Sequence, residues 1–362
     1  MILHIFPDEK FTLDFIDRTE KLFGLDEHLF WIYNIKTDYP KKYQKYINNS
    51  HFYFRDIKSY KYELLNVFSK ASRIIFHSLF FGGATISTLN NYLKGTDKIL
   101  IWIIWGADLY NSYSDAHSLK VIRHPKLLLS EFFRIQLIKK FDYVGTLSDY
   151  EELKKRYKTK AKQINCIYSY GLIDKIEQKS DGFIHVMVGH SATPTCRHLA
   201  TFKLLQGYRN SIKVYCPLSY PSYHNNVIYI KKVIKAGKKY FGDNFYPILD
   251  FMSYEEYGRF LNTIDVGLFN NNRQQGHGNI INLLQIGKKI YLSKDNSFIN
   301  IYNKKNGFIT FDINQLDDSI LIPLTTEQRR INHDLITNVL SDENFFNTWN
   351  NIYHVTKISH LL

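Results

Sequence analysis

The segment Asn270–Asn279 has the residue types and the position that suit it to binding an anion. It joins an apolar run that predicts a strand, Ile264–Phe269, to an apolar helix predicted over Ile280–Ile286. Two glycines let the backbone approach a ligand, and the first turn of the helix offers unpaired N–H groups. A guanidinium adds a cationic fork that matches a diphosphate. The predicted pyrophosphate loop comprises Arg273, Gln274, Gln275, Gly276, Gly278 and Asn279.

The spacing of this loop matches neither G-x-G-x-x-G nor a P-loop, so an ordinary strand-to-helix loop with a solvated arginine remains an alternative. A second loop of similar character follows the predicted strand that ends at Val188. It begins with Gly189, His190 and Ser191, and its alternative role is simple capping of the next helix by Thr193 or Thr195. Because ligands of open α/β sheets bind beyond the carboxyl ends of the strands, we predict that both loops hold a donor.

Aromatic residues also follow two strands of the second half. Tyr220 comes shortly after a strand ending at Cys216, and Phe251 comes directly after one ending at Asp250. Either ring is a candidate for contacting a nucleobase. The alternative is that each ring covers an edge of the domain.

Two polar residues follow strands in the first half. Asp108 lies just beyond the run Ile99–Trp105, and His77 ends the run Arg73–His77. A carboxylate or an imidazole at this position has the chemistry to take a proton from an attacking hydroxyl group. We predict one of them as the catalytic base. The alternatives are a turn or cap aspartate for Asp108 and a hydrogen-bonded core histidine for His77.

Short β-branched and aromatic runs alternate with helical stretches along the whole chain, which predicts βα units. The expected fold is α/β, with two Rossmann-like, doubly wound parallel sheets that face each other across a cleft. The predicted strands are Ile2–Phe6, Phe30–Tyr33, Arg73–His77, Ile99–Trp105 and Asp142–Thr146 in the first half, and Phe183–Val188, Ile212–Cys216, Tyr246–Asp250, Ile264–Phe269 and Lys289–Ser293 in the second.

The length of 362 residues favours two domains. A polar, glycine-flanked stretch at residues 170–182 predicts the linker, which gives a first domain of residues 1–175 and a second of 176–362. The stretch after Thr325 predicts two helices, and these could cross back to the first domain.

The chain carries a formal net charge of +13, which favours phosphorylated small molecules, anionic lipids or nucleic acids as partners. Three widely spaced cysteines predict neither a disulfide framework nor a zinc site, and fit a reducing cytoplasm. No signal peptide or membrane span is predicted. The basic, apolar stretch Pro125–Lys140 predicts a helix that lies on an anionic membrane or, alternatively, packs on the sheet with a solvated basic rim.

No D-x-D triplet, Walker A, H-E-x-x-H, G-x-S-x-G or dinucleotide fingerprint is present. The expected chemistry therefore uses no metal and no cofactor. Arg273 and the helix N-terminus would then neutralise a departing diphosphate electrostatically. The region between Asp265 and Asp295 has no acidic residue, unlike the donor loop with paired glutamates of a large retaining family.

Four segments, in this order, together resemble the TDP-Fuc4NAc:lipid II Fuc4NAc transferases of glycosyltransferase family 56. The resemblance covers about residues 73–300, and His190 stands where the family usually has asparagine. The segments are Trp105–Tyr110, Val188–Ser191, Cys216–Pro221 and Arg273–Gly278.

The resemblance implies a GT-B fold, a TDP-linked amino-deoxysugar donor and an undecaprenyl-diphosphate-linked oligosaccharide acceptor. It also implies that the transfer takes place at the inner face of the cytoplasmic membrane, in enterobacterial common antigen or O-antigen synthesis. Two other functions stay open: a nucleotide-sugar epimerase or hydrolase, and a basic nucleic-acid-binding protein. The latter is not expected, because no helix-turn-helix, RRM or KH pattern is present.

Overall fold

The computed structural model describes residues 1–9, 11–110, 125–168, 171–177, 180–220 and 223–358. The chain forms two compact units. The first contains Met1–Tyr170 and Leu340–Leu362, and the second contains Gly171–Val339.

The first unit is built on a sheet of seven parallel strands in the order β3-β2-β1-β4-β5-β6-β7. The strands are β1 (Ile2–Pro7), β2 (His28–Tyr33), β3 (Phe52–Phe54), β4 (Arg73–His77), β5 (Ile99–Ile103), β6 (Tyr143–Gly145) and β7 (Lys162–Ile164). Its helices before the second unit are α1 (Thr12–Phe23), α2 (Tyr39–Lys42), α3 (Lys61–Lys70), α4 (Gly83–Tyr92), α5 (Lys126–Ile138) and α6 (Tyr150–Tyr157).

The second unit has six parallel strands in the order β10-β9-β8-β11-β12-β13. The strands are β8 (Ile184–Val188), β9 (Ile212–Pro217), β10 (Phe245–Ile248), β11 (Val266–Phe269), β12 (Lys289–Leu292) and β13 (Phe311–Asp312). The helices are α7 (His198–Leu205), α8 (Tyr223–Phe241), α9 (Tyr254–Thr263), α10 (His277–Gln285) and α11 (Thr326–Val339).

Both sheets are apolar on their two faces, as parallel sheets covered by helices require. In β1, Leu3 and Ile5 join one buried cluster while Ile2 and Phe6 join the cluster on the other face. This alternation of faces within an almost continuous apolar run explains why the strand is central.

The last helix, α12 (Asp342–His354), belongs to the first unit. Its Trp349 is fully buried and shares a hydrophobic cluster with Phe15 of α1. The indole N–H donates to the Ile167 carbonyl at 2.9 Å, and Asp342 accepts from Arg18 Nε at 2.8 Å. Apolar packing and these polar contacts hold the end of the chain on the first unit.

Candidate functional site

The strand order of the second sheet creates a crevice between β8 and β11. The chain leaves β8 toward β9 on one side and returns to β11 on the other, so the loops after these neighbouring strands diverge. Such a switch point is the usual ligand site of an open α/β sheet. Gly189, the first residue after β8, donates its N–H to Leu268 of β11 at 2.9 Å.

Contacts between the two loops make them one surface. The Thr195 hydroxyl donates to Gln275 Oε1 at 2.6 Å, and Asn271 Nδ2 donates to the same oxygen at 3.4 Å. The Asn272 N–H donates to the Thr195 carbonyl at 3.2 Å. We call the surface formed by residues 189–196 and 270–279 the switch-point cradle.

Two glycines of the switch-point cradle lie where a side chain does not fit. Gly276 has φ +81°, and a Cβ there would lie 3.1 Å from His190 Nδ1. Gly189 has φ +69°, and its Cβ would lie 2.7 Å from His198 Nε2. Left-handed backbone and close neighbours both require glycine at these positions. The structure therefore brings Gly189, His190 and Gly276 together.

Helix α10 begins at His277, three residues earlier than the sequence pattern predicts. Gly276 is its N-cap and supplies no side-chain hydrogen bond to the first turn. His277 Nε2 lies 2.7 Å from the Tyr302 hydroxyl, and burial lowers the pKa of His277 to about 3. The neutral ring thus holds the helix start in place, and Gly278 lies in the first turn.

Not every residue predicted for the donor loop is positioned in the same way. Arg273 and Gln274 are half-buried in the loop between β11 and α10. The side-chain oxygen of Asn279 accepts from the Tyr257 hydroxyl at 2.5 Å, which fixes Asn279 against α9. Arg273 is therefore the residue of this loop that brings a positive charge.

Two buried polar atoms, one in the switch-point cradle and one next to it, have no hydrogen-bond partner within the described part of the chain. They are Asn271 Oδ1 and His198 Nε2, and both side chains are fully buried. Burial lowers the pKa of His198 to about 4, so its ring is neutral at pH 7. Buried polar atoms are normally paired, so these two atoms are exceptions to the usual pattern.

A third loop, after β12, also reaches the switch-point cradle. Asn296 Nδ2 donates to the Gln275 carbonyl at 3.4 Å. Asp295 accepts from Arg197 Nη1 at 2.6 Å and so ties this loop to the end of the first one. Arg197, Asp295 and Asn296 were not predicted as site residues, although all three follow strands at the same sheet edge.

The two predicted nucleobase contacts lie at different distances from this surface. The Tyr220 carbonyl accepts from the Ala192 N–H at 2.7 Å, which places Tyr220 beside the first loop with its side chain 65% exposed. Phe251 is 82% exposed and follows edge strand β10, two strands from β8. The geometry brings Tyr220 to the switch-point cradle, and the role of Phe251 stays a prediction.

In the first unit, Asp108 is buried and surrounded by donors. One oxygen accepts from the Leu79 N–H at 3.0 Å and from the Trp102 indole at 2.9 Å. The other accepts from the N–H groups of Trp105 and Leu109. Burial raises the pKa of Asp108 above its usual value although four donors face it. These contacts favour a structural role, and the assignment of Asp108 as the base stays a prediction.

His77 is also fully buried, at the end of β4. Its Nδ1 lies 2.5 Å from the Tyr168 hydroxyl, and its Nε2 lies 3.0 Å from His4 Nδ1. His4 continues the chain of contacts to His28 at 3.0 Å. Burial lowers the pKa of His77 and of His4 well below the ordinary value, so both rings are neutral at pH 7. The role of His77 as the base likewise stays a prediction.

A family model described as 4-alpha-L-fucosyltransferase, glycosyl transferase group 56, matches residues 27–357. The chain belongs to this family. The family resemblance inferred from the sequence motifs is therefore confirmed, and the protein is a glycosyltransferase.

Solved structures agree with this fold. A glycosyltransferase from Rickettsia africae ESF-5 is 11% identical, with a TM-score of 0.64 and coverage of 97% of both chains. Sucrose-phosphate synthase from Thermosynechococcus elongatus is 10% identical, with a TM-score of 0.64 and coverage of 98% of both. Anabaena HepE, in complex with UDP and glucose, is 10% identical at a TM-score of 0.64, with coverage of 98% of this chain and 99% of that one. These likenesses confirm the predicted GT-B fold class.

The first sheet of this glycosyltransferase has its own switch point, between β1 and β4. Ser78, after β4, is buried with φ +83°, a strained conformation for a residue that is not glycine. Asp8, after β1, accepts from Lys42 Nζ at 2.6 Å and from the Tyr43 hydroxyl at 2.8 Å. Although burial opposes the change, these donors hold the pKa of Asp8 below its usual value.

Glu9 is the next residue, and its side chain is 48% exposed, with Oε2 3.4 Å from Lys36 Nζ. It is a solvent-accessible carboxylate beside the switch point of the first sheet. Glu9 was not predicted as a site residue, although the rule that places ligands beyond strand ends also applies to β1.

Helix α5 presents apolar residues to solvent. Leu128, Leu129 and Phe132 share one face and are 53%, 57% and 54% exposed. The charged residues Glu131 and Arg134 are buried instead, and Arg134 Nη2 donates to the Leu79 carbonyl at 2.6 Å. One residue of the predicted basic rim, Arg134, is thus buried. None of the described helices combines the length and the apolar composition that a membrane crossing needs.

Proposed function

We propose that this glycosyltransferase moves a TDP-linked amino-deoxysugar, Fuc4NAc or a relative, onto an undecaprenyl-diphosphate-linked oligosaccharide without a metal. The reaction would serve enterobacterial common antigen or O-antigen synthesis. The observation that carries the donor half of this proposal is the switch-point cradle. There an uncapped helix start, Arg273 and two obligatory glycines lie at one strand edge.

In this proposal the diphosphate of the donor lies against the first turn of α10. The N–H groups near Gly278 and the guanidinium of Arg273 compensate the negative charge that grows on the leaving group. Gly189, Ser191, Gln274 and Gln275 would hold the polar parts of the donor. A side chain at Gly189 would collide with His198 and one at Gly276 would crowd His190, so glycine at both positions lets these side chains pack against the backbone of the loops.

We place the acceptor at the switch point of the first sheet. The base would be a group that reaches the acceptor hydroxyl, and the solvent-accessible carboxylate of Glu9 meets that condition. Asp108 and His77, the residues predicted from sequence, would support this strand edge from the interior of the unit. Asp108 accepts a hydrogen bond from the N–H of Leu79, the residue after the strained Ser78.

The donor class is tested by thermal unfolding of the purified protein with TDP-, UDP-, GDP- and CMP-sugars at equal concentration. A ligand that binds only the folded state at 100 times its Kd adds about 2.7 kcal/mol of stability, so the preferred nucleotide should raise Tm most. We expect the largest rise with a TDP-sugar.

Equal shifts for all four nucleotides would contradict the proposed donor. Incubation with TDP-sugar alone is the control for the other enzyme class. Free sugar or an epimer formed without acceptor would indicate a hydrolase or an epimerase instead of a transferase.

The lipid-linked acceptor requires contact with a membrane, and α5 has a surface that suits it. We propose that Leu128, Leu129 and Phe132 insert among the lipids while Lys126 and Lys139, both exposed, face anionic headgroups. The positive net charge of the chain favours the same surface.

Replacing Leu128, Leu129 and Phe132 together by serine should therefore reduce binding to phosphatidylglycerol vesicles by at least about 100-fold. Each buried apolar side chain contributes roughly 1.5–3 kcal/mol, so three lost contacts exceed that factor. Vesicle co-sedimentation measures the effect. The matched control is Ile228→Ser in the second unit, which removes another side chain that is 75% exposed. Unchanged vesicle binding by the triple variant would contradict this role of α5.

A further inference from the structure

A cavity of 230 Å³ lies at the opposite edge of the second sheet from the switch-point cradle. It is bordered by the amino ends of β8, β11 and β12 and by the turn that follows α10. Four cationic side chains and two carboxylates line it, so its lining carries two net positive charges. These residues are Lys175, Lys288, Lys289, Arg329, Glu177 and Asp265.

Two of the cations have contacts that explain them without a ligand. Lys288 Nζ donates to the Asn262 carbonyl at 2.7 Å, near the end of α9, where a positive charge offsets the helix dipole. Lys289 Nζ donates to the carbonyls of Ser319 and Ile322 at 2.6 and 2.9 Å. Both lysines therefore stabilise the walls of the cavity.

The other two cations, Lys175 and Arg329, belong to exposed residues. Arg329 uses only Nε in the described part of the chain, for a hydrogen bond to the Leu324 carbonyl at 2.9 Å. The side chain of Arg329 packs against Gly287, where a Cβ would lie only 3.0 Å from Arg329 Cβ. Lys175 has no hydrogen bond or ion pair to any described residue. The positive charges of Lys175 and Arg329 repel the positive charge of Lys288. Burial is the main cause that lowers the pKa of Lys288; the charge of Asp265 opposes this shift, and the charges of Arg329 and Lys175 add to it.

We propose that this cavity is a second anion site, which binds a phosphate or diphosphate group between Lys175 and the terminal nitrogens of Arg329. An anion there gains charge-assisted hydrogen bonds from the arginine fork and relieves the repulsion among the clustered cations. The isoleucines that line the remainder of the cavity accommodate an apolar substituent on the phosphate. The site is separate from the switch-point cradle because it lies at the amino ends of the same strands.

The test uses the full chain carrying Arg273→Ala, which weakens the switch-point cradle, at constant ionic strength adjusted with chloride. Inorganic phosphate and pyrophosphate should raise Tm in a saturable way. Adding Lys175→Glu and Arg329→Gln should increase the apparent dissociation constant at least tenfold. A stabilisation that is equal in both chains, or that does not saturate, would overturn the proposal.

Vesicles containing phosphatidic acid form a second arm of the experiment. Stabilisation that needs the vesicles and the two cations assigns the anion to a lipid headgroup, whereas stabilisation by free phosphate assigns it to a soluble ligand. Lys175→Glu alone, in the otherwise unchanged protein, should leave sugar transfer at its normal rate. If phosphate does not bind in the cavity, the proposal of sugar transfer is therefore unaffected. If no sugar transfer is detected, phosphate binding to the cavity can still be measured.

Discussion

Arg273→Ala is expected to lower kcat/KM for the nucleotide-sugar donor by about 100-fold, because the variant removes the cationic fork from the switch-point cradle. A hydrogen bond to a charged group contributes roughly 1.5–3 kcal/mol, and a donor that acts on a growing negative charge acts mainly on kcat. Initial rates at saturating acceptor and varied donor measure the change. Arg273→Lys should restore only part of the activity, since lysine keeps the charge but loses the planar fork.

The control for this variant is Arg209→Ala, which removes an exposed arginine from the same unit. It changes the net charge of the protein by the same amount. If Arg209→Ala and Arg273→Ala lowered transfer equally, the loss would reflect the overall charge. Normal transfer by Arg273→Ala would contradict the assignment of the switch-point cradle as the donor site.

The position of the switch-point cradle was predictable because it depends on strand order and chain direction. The apolar runs that become β8 and β11 are visible in the sequence, and the residues after parallel strands meet at one edge. The contact of His190 with Gly276 was not predictable, because it depends on the register of Val186 with Val266 and on backbone angles within both loops.

Three strands were not predicted, and all three are short. β3 (Phe52–Phe54), β7 (Lys162–Ile164) and β13 (Phe311–Asp312) have two or three residues each. Such segments are too short to show a period, and each lies at a sheet edge, where it pairs with one neighbouring strand. Tertiary contacts therefore decide their conformation.

The exposure of charged groups was the least predictable property. Asp108 is saturated by the Leu79 N–H and the Trp102 indole, which lie 29 and 6 residues away in the chain. On α5, Glu131 and Arg134 turn inward because Arg134 finds the Leu79 carbonyl, and apolar residues take the outer face. Side-chain type alone does not reveal whether a distant donor or acceptor completes a buried site.

Glu9→Gln is the second variant with a large expected effect. A positioned general base contributes roughly 10²- to 10⁴-fold to rate, so kcat should fall by at least about 100-fold while the donor KM changes little. The amide keeps the size of the side chain but cannot take the proton. Transfer rates and donor binding, measured on the same preparation, separate these two effects. Glu151→Gln is the control, because that carboxylate is 84% exposed on α6.

Asp108→Asn distinguishes the proposed base from the residue predicted from sequence. An amide presents one oxygen and an NH₂ group to the four donors around position 108, so at least one buried donor loses its partner. Each such loss costs about 1–3 kcal/mol, and Tm should fall together with activity. No buried donor of a described residue depends on the side chain of Glu9, so in Glu9→Gln the Tm should stay unchanged while transfer is lost.

If Asp108→Asn kept its Tm and its donor binding but lost transfer, and Glu9→Gln remained active, Asp108 would be the base. The acceptor would then have to reach a carboxylate that is buried in this structure.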